Sequence, residues 1–221
     1  MFESTLGFSA SFNPAAPLRP EHAKLYEVGL VRDLRSLLRL NREDQRADVK
    51  LTFYRNHITD VVERSTNLQF SNIQEQTIAG IEAEARIDTG GFYTQFGAAF
   101  MTTNRVCDAS VAALADRKNG SIPDCVKYGF PDGFLLTQAT PEETVNWTIG
   151  GRFFDKRLEI GGRLTYYSRY DNPLFQRIAD LPREQQLDVY SLNVPFSWGE
   201  IVTADAYVRY RLNDRFSAEL V

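Results

Sequence analysis

The chain has 221 residues, 43% of them hydrophobic and 12% aromatic, which excludes a disordered polar tract and suits one all-β domain or a piece of something larger. A net charge of −4 and a pI near 5.3 give no electrostatic reason to expect nucleic acid as a partner. No run of about 18 apolar residues occurs, which excludes a transmembrane helix but not a membrane crossed by strands.

In chain order, the opening stretch "MFESTLGFSASFNPAAPLRP" lacks a basic segment before an apolar run and is no signal peptide, so an exported chain would carry its leader upstream of Met1. From residue 24 onward the apolar residues recur with period two, the strand period. Residues 24–31 place Tyr26, Val28 and Leu30 on one face, and residues 49–54 set Val49, Leu51 and Phe53 against Lys50, Thr52 and Tyr54. "GIEAEARID" sets Ile81, Ala83, Ala85 and Ile87 against Glu82, Glu84, Arg86 and Asp88. In "FYTQFGAAFM", Phe92, Phe96, Ala98 and Phe100 oppose Tyr93, Gln95, Gly97 and Ala99. "TVNWTIGGRFF" aligns Val145, Trp147, Ile149 and Phe153 against Asn146, Thr148 and Arg152. "LEIGGRLTYYSR" aligns Leu158, Ile160, Leu164 and Tyr166 against Glu159, Arg163 and Thr165. "IVTADAYVRYRL" sets Val202, Ala204, Ala206, Val208, Tyr210 and Leu212 opposite Thr203, Asp205, Tyr207, Arg209 and Arg211, and "FSAELV" begins another strand. About eight strands follow, and none has a helix-period competitor of similar length.

Such alternation has two solutions: in a soluble sandwich the charged row meets solvent, and in an outer-membrane barrel it lines a wet lumen while the apolar row meets lipid. The connections favour the barrel. "DTGG" at 88–91, "DKR" at 155–157 and "NDR" at 213–215 are tight turns, whereas 104–142 and 171–196 are long. Walking the strands up and down puts the tight turns on one rim and the long loops on the other, as in barrels, with the longer linker at 33–46 falling on the tight-turn rim. Phe92, Phe100, Trp147, Phe153, Tyr166 and Tyr210 lie on the apolar faces, several near strand ends, either as an interfacial girdle or because aromatics prefer strands. Cys107 and Cys125 share the longest loop, which suits a disulfide in an oxidising compartment or at the cell surface, two free thiols being the alternative. A metal pair has less support, since no His or third Cys lies in that loop.

Catalytic constellations are not apparent. Glu82 and Glu84 are two apart on a strand and share a face, which suits a solvated wall better than an acid/base pair. Ser110 has acids but no histidine near it in sequence, and no phosphate-cradling glycine loop appears.

The residues also carry a family resemblance. "NPAAPLRPEHAKLYEVGL" resembles the "NP.L.PE....YE.G" segment of TonB-dependent outer-membrane receptors, and "IAGIEAEARID" followed by "GGFYTQFGAAFMTTN" is similar to a strand pair in the C-terminal half of their barrels. "GGRFFDKRLEIGGRLTYYSR" with the cysteine-bearing loop before it resembles the subgroup that takes up heme, alone or from hemoproteins and hemophores. The resemblance implies an antiparallel up-and-down transmembrane β-barrel of 22 strands, of which this all-β chain supplies about eight, without the plug domain, the TonB box and the final strand. It implies a receptor, not an enzyme, in the outer membrane of a Gram-negative bacterium. Its partners would be its own plug, the TonB complex, the lipid bilayer and an extracellular hemoprotein or hemophore. No cofactor would be held permanently, heme being cargo.

Within that frame Glu82, Glu84, Arg86, Arg152, Arg163, Arg209 and Arg211 are expected on the lumen wall, facing the plug. Heme receptors of the family place a histidine ligand ahead of the "NP.L" segment, but here "ESTLGFSASF" holds neither His nor Tyr. The heme-contact candidates are His57, Tyr128 and Tyr170, since imidazole and tyrosinate both ligate heme iron; His57 also reads as a solvated rim residue, and His22 as a variable position. A ferric-siderophore receptor, a passive porin and a soluble β-barrel binding module remain the alternatives. An upstream plug separates receptor from porin, and retention in the aqueous fraction after lysis would favour the soluble module.

Overall fold

A computed structural model describes residues 17–64, 70–115, 122–130, 133, 135, 140–171, 197–213 and 215–221. The order is β1 (His22–Asp33), β2 (Arg46–Arg64), β3 (Phe70–Asp88), β4 (Phe92–Cys107), helix α1 (Ala109–Ala115), β5 (Cys125–Lys127), β6 (Glu143–Phe153), β7 (Leu158–Tyr167), β8 (Ile201–Arg211) and β9 (Ser217–Leu220). Every pairing is antiparallel and sequential, β1-β2-β3-β4-β6-β7-β8-β9, with β5 added to the outer end of β4. This is the up-and-down meander expected from the alternation.

Register turns the alternation into rows that cross the whole sheet. Leu30, Leu51, Ala83, Ala98, Val145 and Tyr166 follow one another on one face. The next rows on that face contain Phe53 with Ile81 and Phe100, and Phe96 with Trp147 and Leu164. The large aromatic side chains of this face are open: Phe100 is 41% exposed, Trp147 42% and Phe153 50%. A sandwich would bury this face against a second sheet, and none is present among the described residues; a surface this apolar and continuous suits lipid. The indole N–H of Trp147 donates to the Thr94 hydroxyl at 2.8 Å, so even the polar atom of this face is satisfied within the sheet.

Two strands exceed expectation. β2 and β3 have 19 residues each, so each is about 63 Å long, twice the 9–11 residues a tilted strand needs to cross a bilayer. Their outer halves form a tall hairpin on the long-loop rim. The connection 104–142 is also less loop-like than expected, because β4 runs on to Cys107 and α1 and β5 lie inside it. The loop 171–196 falls outside the described residues except for Asp171.

The opposite rim carries the connections 34–45, 89–91, 154–157 and 212–216. Gly90 adopts φ 92°, a left-handed conformation glycine tolerates without strain, and its N–H donates to Asp88 Oδ1 at 2.8 Å. The long linker 34–45 reaches sideways along this rim. Gln45 Nε2 donates to the Thr89 carbonyl at 2.8 Å, and Asp44 Oδ2 accepts from Lys156 Nζ at 2.9 Å, tying it to the β3–β4 and β6–β7 turns. The Lys156 ammonium, with Arg42 beside it, holds the Asp44 carboxyl below the usual carboxylate range.

Candidate functional site

The charged face is built in levels. Lys50, Glu84, Gly97, Asn146, Thr165 and Thr203 form one row, and Asp48, Arg86, Gln95, Thr148, Arg163 and Asp205 the row nearer the short turns. Glu82 lies one level farther out, between Thr52 and Ala99. All seven predicted wall residues share this face by register, Arg152 and Arg209 flanking Glu159 across β6, β7 and β8 and Arg211 lying two residues beyond Arg209. They do not share one electrostatic state. Glu84 accepts from Lys50 at 3.4 Å, whereas Arg86, Arg163 and Arg211 make no ion pair among the described residues.

Near the short turns the charges close on one another. Arg152 Nη1 donates to both Asp88 oxygens at 2.9 Å, and its Nε to Glu159 Oε2 at 3.2 Å. The same guanidinium lies 4.5 Å over the Tyr93 ring. The Tyr93 and Tyr207 hydroxyls each donate to Glu159 Oε1 at 3.2 Å and contact each other. Arg209 is held by Glu219 of β9 at 3.1 Å, with Glu159 3.7 Å away. Gly150 and Gly161 face each other across β6 and β7, and a Cβ on either would collide with the Tyr93 phenol. The missing side chains are therefore what lets the two tyrosines lie down on the sheet. Tyr93, Tyr207 and Glu159 were not singled out from sequence; the paired Gly-Gly steps of "IGGRF" and "IGGRL" were the available signal.

The long-loop end is organised covalently. Cys107 and Cys125 stand directly opposite in the β4–β5 register and are disulfide-bonded, closing a segment of separation 18. Asp108 caps α1: its Oδ1 accepts the N–H of Ser110 at 3.0 Å and of Val111 at 3.1 Å, while its Oδ2 accepts the N–H of Gln74 at 3.0 Å and fastens the helix to β3. Burial pushes this carboxyl up, but the Ser110 hydroxyl and the backbone donors outweigh it and hold the group below its ordinary range. Val61, Ile73, Val106, Ala112, Val126 and Phe130 pack here into the small core of the chain, together with Tyr128 and Tyr170.

Tyr128 and Tyr170, distant in sequence, meet edge to face at 5.0 Å, and Tyr170 stacks on Trp198 at 4.3 Å. Two backbone hydrogen bonds between Tyr170 and Trp198, each 3.0 Å, pin the base of the 171–197 connection. Beside them opens a cavity of about 390 Å³ walled by Tyr128, Tyr166 and Tyr170. The Tyr128 hydroxyl donates to Glu142 Oε1 at 2.8 Å, and Lys127 also bonds Glu142. The Tyr170 hydroxyl is buried without a partner. Burial pushes both phenols up to about 12, so they are neutral donors at physiological pH. Trp198 carried no sequence signal, standing alone between a loop and β8.

His57 is elsewhere. It shares the apolar-face parity of Leu51 and Phe53, with Nδ1 3.2 Å from the Thr77 hydroxyl and Nε2 3.8 Å from Glu75, and it neither lines the cavity nor joins the aromatic cluster. The "LRPE" segment is pinned to the tall hairpin: Arg19 pairs with Asp60 at 2.6 Å, Asn72 brackets the Arg19 backbone at 2.8 and 2.9 Å, and Glu21 accepts the Val62 N–H at 2.6 Å. Asp60 adopts φ 56°, and Asn72 Nδ2 also donates to its carbonyl at 2.7 Å. The "ESTLGFSASF" stretch lies outside the described residues.

Residues 2–220 match the family profile described as TonB dependent receptor-like, beta-barrel. The chain is 40% identical over 233 residues to the hemophilin receptor of Acinetobacter baumannii, covering 100% of this chain and 21% of that protein. It therefore spans about a fifth of that relative's length. Among solved structures it is similar to the ferric-catecholate import receptor Fiu of E. coli K12, at 14% identity and TM-score 0.54 over 96% of this chain and 25% of that one. It is also similar to the pyoverdine outer membrane receptor of Pseudomonas aeruginosa, at 16% identity and TM-score 0.53 over 91% and 25%.

Proposed function

We propose, from the premise that this chain belongs to the TonB dependent receptor-like β-barrel family, that it is part of an outer-membrane receptor that takes up heme, alone or from a carrier protein. The chain is not an enzyme, and its relatives are receptors. The observation that carries the heme reading is the 40% identity, along the entire chain, to a protein named hemophilin receptor.

In this reading the apolar rows face lipid, the short turns face the periplasm and the long-loop end faces outward. The disulfide lobe, the tall hairpin and the aromatic cavity form the outer surface that a ligand or a heme-carrying protein meets first. Tyr128 and Tyr170 are buried within that lobe, so heme would reach their phenols only through the cavity beside them, and His57 lies on the hairpin away from that cavity. The charged face lines the lumen around a plug, and TonB acting on that plug opens the path. Ligand contacts that differ between plug states carry the coupling. Arg86, Arg163 and Arg211, which make no ion pair among the described residues, are the side chains available to plug carboxylates, whereas Arg209 is already engaged. Heme is cargo in this scheme, held by no permanent site.

A second reading, uptake of a ferric siderophore, has its own support: structural neighbours include ferric-catecholate and pyoverdine receptors. Titration of the complete receptor in detergent with hemin, with an unrelated ferric siderophore as competitor, separates the two. A saturable shifted Soret band at about one heme per receptor, indifferent to the competitor, is expected. Saturation by the siderophore with no shifted Soret band would overturn the heme assignment.

A further inference from the structure

On the lipid-facing side, the register places a basic row just above the apolar band at the long-loop end. Lys24 of β1, His57 of β2, Thr77 of β3, Arg105 of β4 and Lys127 of β5 are consecutive cross-strand partners. One step below, Tyr26, Arg55, Ala79 and Thr103 form the next row, and below that lie Val28, Phe53, Ile81 and Phe100. At about 3.3 Å per residue and a tilt of 35–45°, Arg55 sits about 5 Å and the basic row about 10 Å above the phenylalanine level. That is the depth of the headgroup layer, which adds several ångströms to each side of the hydrocarbon core. The row crosses four strand spacings, about 19 Å.

Three of these cations pair with nothing among the described residues. Lys24, Arg55 and Arg105 are exposed and make no ion pair or hydrogen bond through their side chains among the described residues. Lys127 is engaged by Glu142, and His57 faces Glu75 at 3.8 Å. Arg105 moreover stands directly opposite Lys127, a like-charge cross-strand pair of the kind sheets avoid. A set of cations with no anion paired to them among the described residues, within about 5 Å of one another in depth and continuous with a lipid-facing surface, is complementary to an anion supplied by the bilayer.

We infer that Lys24, Arg55 and Arg105 form a docking site for the phosphate groups of a phosphorylated lipid headgroup in the leaflet on the long-loop side. The inference rests on the barrel reading but not on the nature of the cargo. Long arginine and lysine stems lie along the upper edge of the apolar band while their heads reach the phosphates, so apolar and ionic contacts reinforce one another. The same contacts would fix the rotational setting of the tall β2–β3 hairpin above the membrane, because β2 carries Arg55 and the hairpin is flanked by the strands that carry Lys24 and Arg105.

The test uses the complete receptor in detergent, titrated with bisphosphorylated lipid A and with the same lipid enzymatically dephosphorylated, and followed by native mass spectrometry. Each cation removed should weaken binding of the phosphorylated lipid about fivefold, so Lys24→Gln/Arg55→Gln/Arg105→Gln should lose on the order of 100-fold. The dephosphorylated lipid should not distinguish the variant from the parent. The lumen control Arg86→Gln/Arg163→Gln should retain parental binding. The assignment is overturned if the triple variant holds the phosphorylated lipid as tightly as the parent, if the lumen control loses as much, or if equimolar inorganic phosphate displaces the lipid. Should the triple variant fail to fold, Arg105→Gln alone must show the fivefold loss. Failure of the barrel reading itself would appear differently, as a receptor that stays in the aqueous phase with no lipid bound at all.

Discussion

Substituting Gly150 by alanine places a methyl group where the Tyr93 phenol lies, although the backbone there is ordinary strand and gives alanine no strain of its own. Tyr93 must swing away. It then gives up its hydrogen bond to Glu159, its contact with the Tyr207 hydroxyl and its packing under Arg152. A hydrogen bond to a charged group contributes about 1.5–3 kcal/mol, an arginine over an aromatic ring about 0.5–1, and overpacking costs about 1–3. Alanine recovers about 0.5–1 kcal/mol over glycine in a strand, so the net loss should be about 4 kcal/mol. Tyr93→Phe removes the nearest obstructing atom, the hydroxyl, while the ring carbon and the Ile160 carbonyl remain, and costs about 1.5–3 kcal/mol alone through the lost bond to the Glu159 carboxylate. In Gly150→Ala/Tyr93→Phe the methyl group meets less obstruction, so the double variant should be more stable than the sum of the two losses implies, with a coupling of at least about 1 kcal/mol. Urea unfolding of the complete receptor in lipid vesicles gives all four corners of the cycle. Strict additivity would refute the claim that the glycine exists to seat the tyrosine.

Reducing the Cys107–Cys125 disulfide should destabilise the lobe by about 3 kcal/mol, from the entropy of its 18-residue separation, and raise proteolytic cutting between 108 and 124 while the strands below stay protected. The Asp108 carboxyl is depressed in the folded lobe, so its contribution is complete above the unfolded value near pH 4 and is lost as pH falls through the lower folded value. Limited digestion with pepsin should therefore accelerate in that acid window, and Asp108→Asn, which keeps the cap, should flatten the dependence. Arg209→Glu sets a carboxylate against Glu219 and Glu159 and should cost barrel stability, measured by urea midpoint. Arg86→Gln/Arg163→Gln, each facing an aspartate across the sheet, should lower stability by no more than about 1 kcal/mol but weaken recovery of the separately expressed plug. Tyr170→Phe deletes an unpartnered buried hydroxyl and should be neutral or stabilising by up to about 1 kcal/mol, read as the urea midpoint.

The strands that cross the apolar band were legible because their two faces meet different surroundings, and period two survives there from Tyr26 in β1 to Leu212 beyond β8. The outer halves of β2 and β3 were not. "ITDVVER" and "SNIQEQT" rise beyond the band, where one side packs on the disulfide lobe and the other meets water, so neither face is uniformly apolar. Helix α1, "ASVAALA", has seven residues, fewer than two full turns of pattern, and β5 has three. The wall charges were legible as a face but not as pairs: Arg209 and Arg163 look alike in sequence, and only the register of β8 on β9 shows that Glu219 claims the first. Tyr128 and Tyr170 could be named as candidates one by one, but their meeting depends on two connections whose paths no local pattern encodes.

The two ends of the sheet solve one problem with different chemistry. At the short-turn end the network of Asp88, Arg152, Glu159 and Arg209 ties together strands β3, β6, β7 and β8, and Glu219 extends it to β9. Its tyrosines lie flat on a glycine-lined floor that no side chain can enter. At the long-loop end, connections too long to hold themselves are fixed by a disulfide, a capped helix and an aromatic stack. A wall braced at both ends has little freedom to change shape, because packed and ion-paired strands shift between discrete arrangements or not at all. In the proposed receptor, a signal from a ligand bound at the outer end would then reach the interior through a separate body resting on the charged face. The middle row is where that body would bear, since there Arg86 and Arg163, each across from an aspartate, make no ion pair among the described residues.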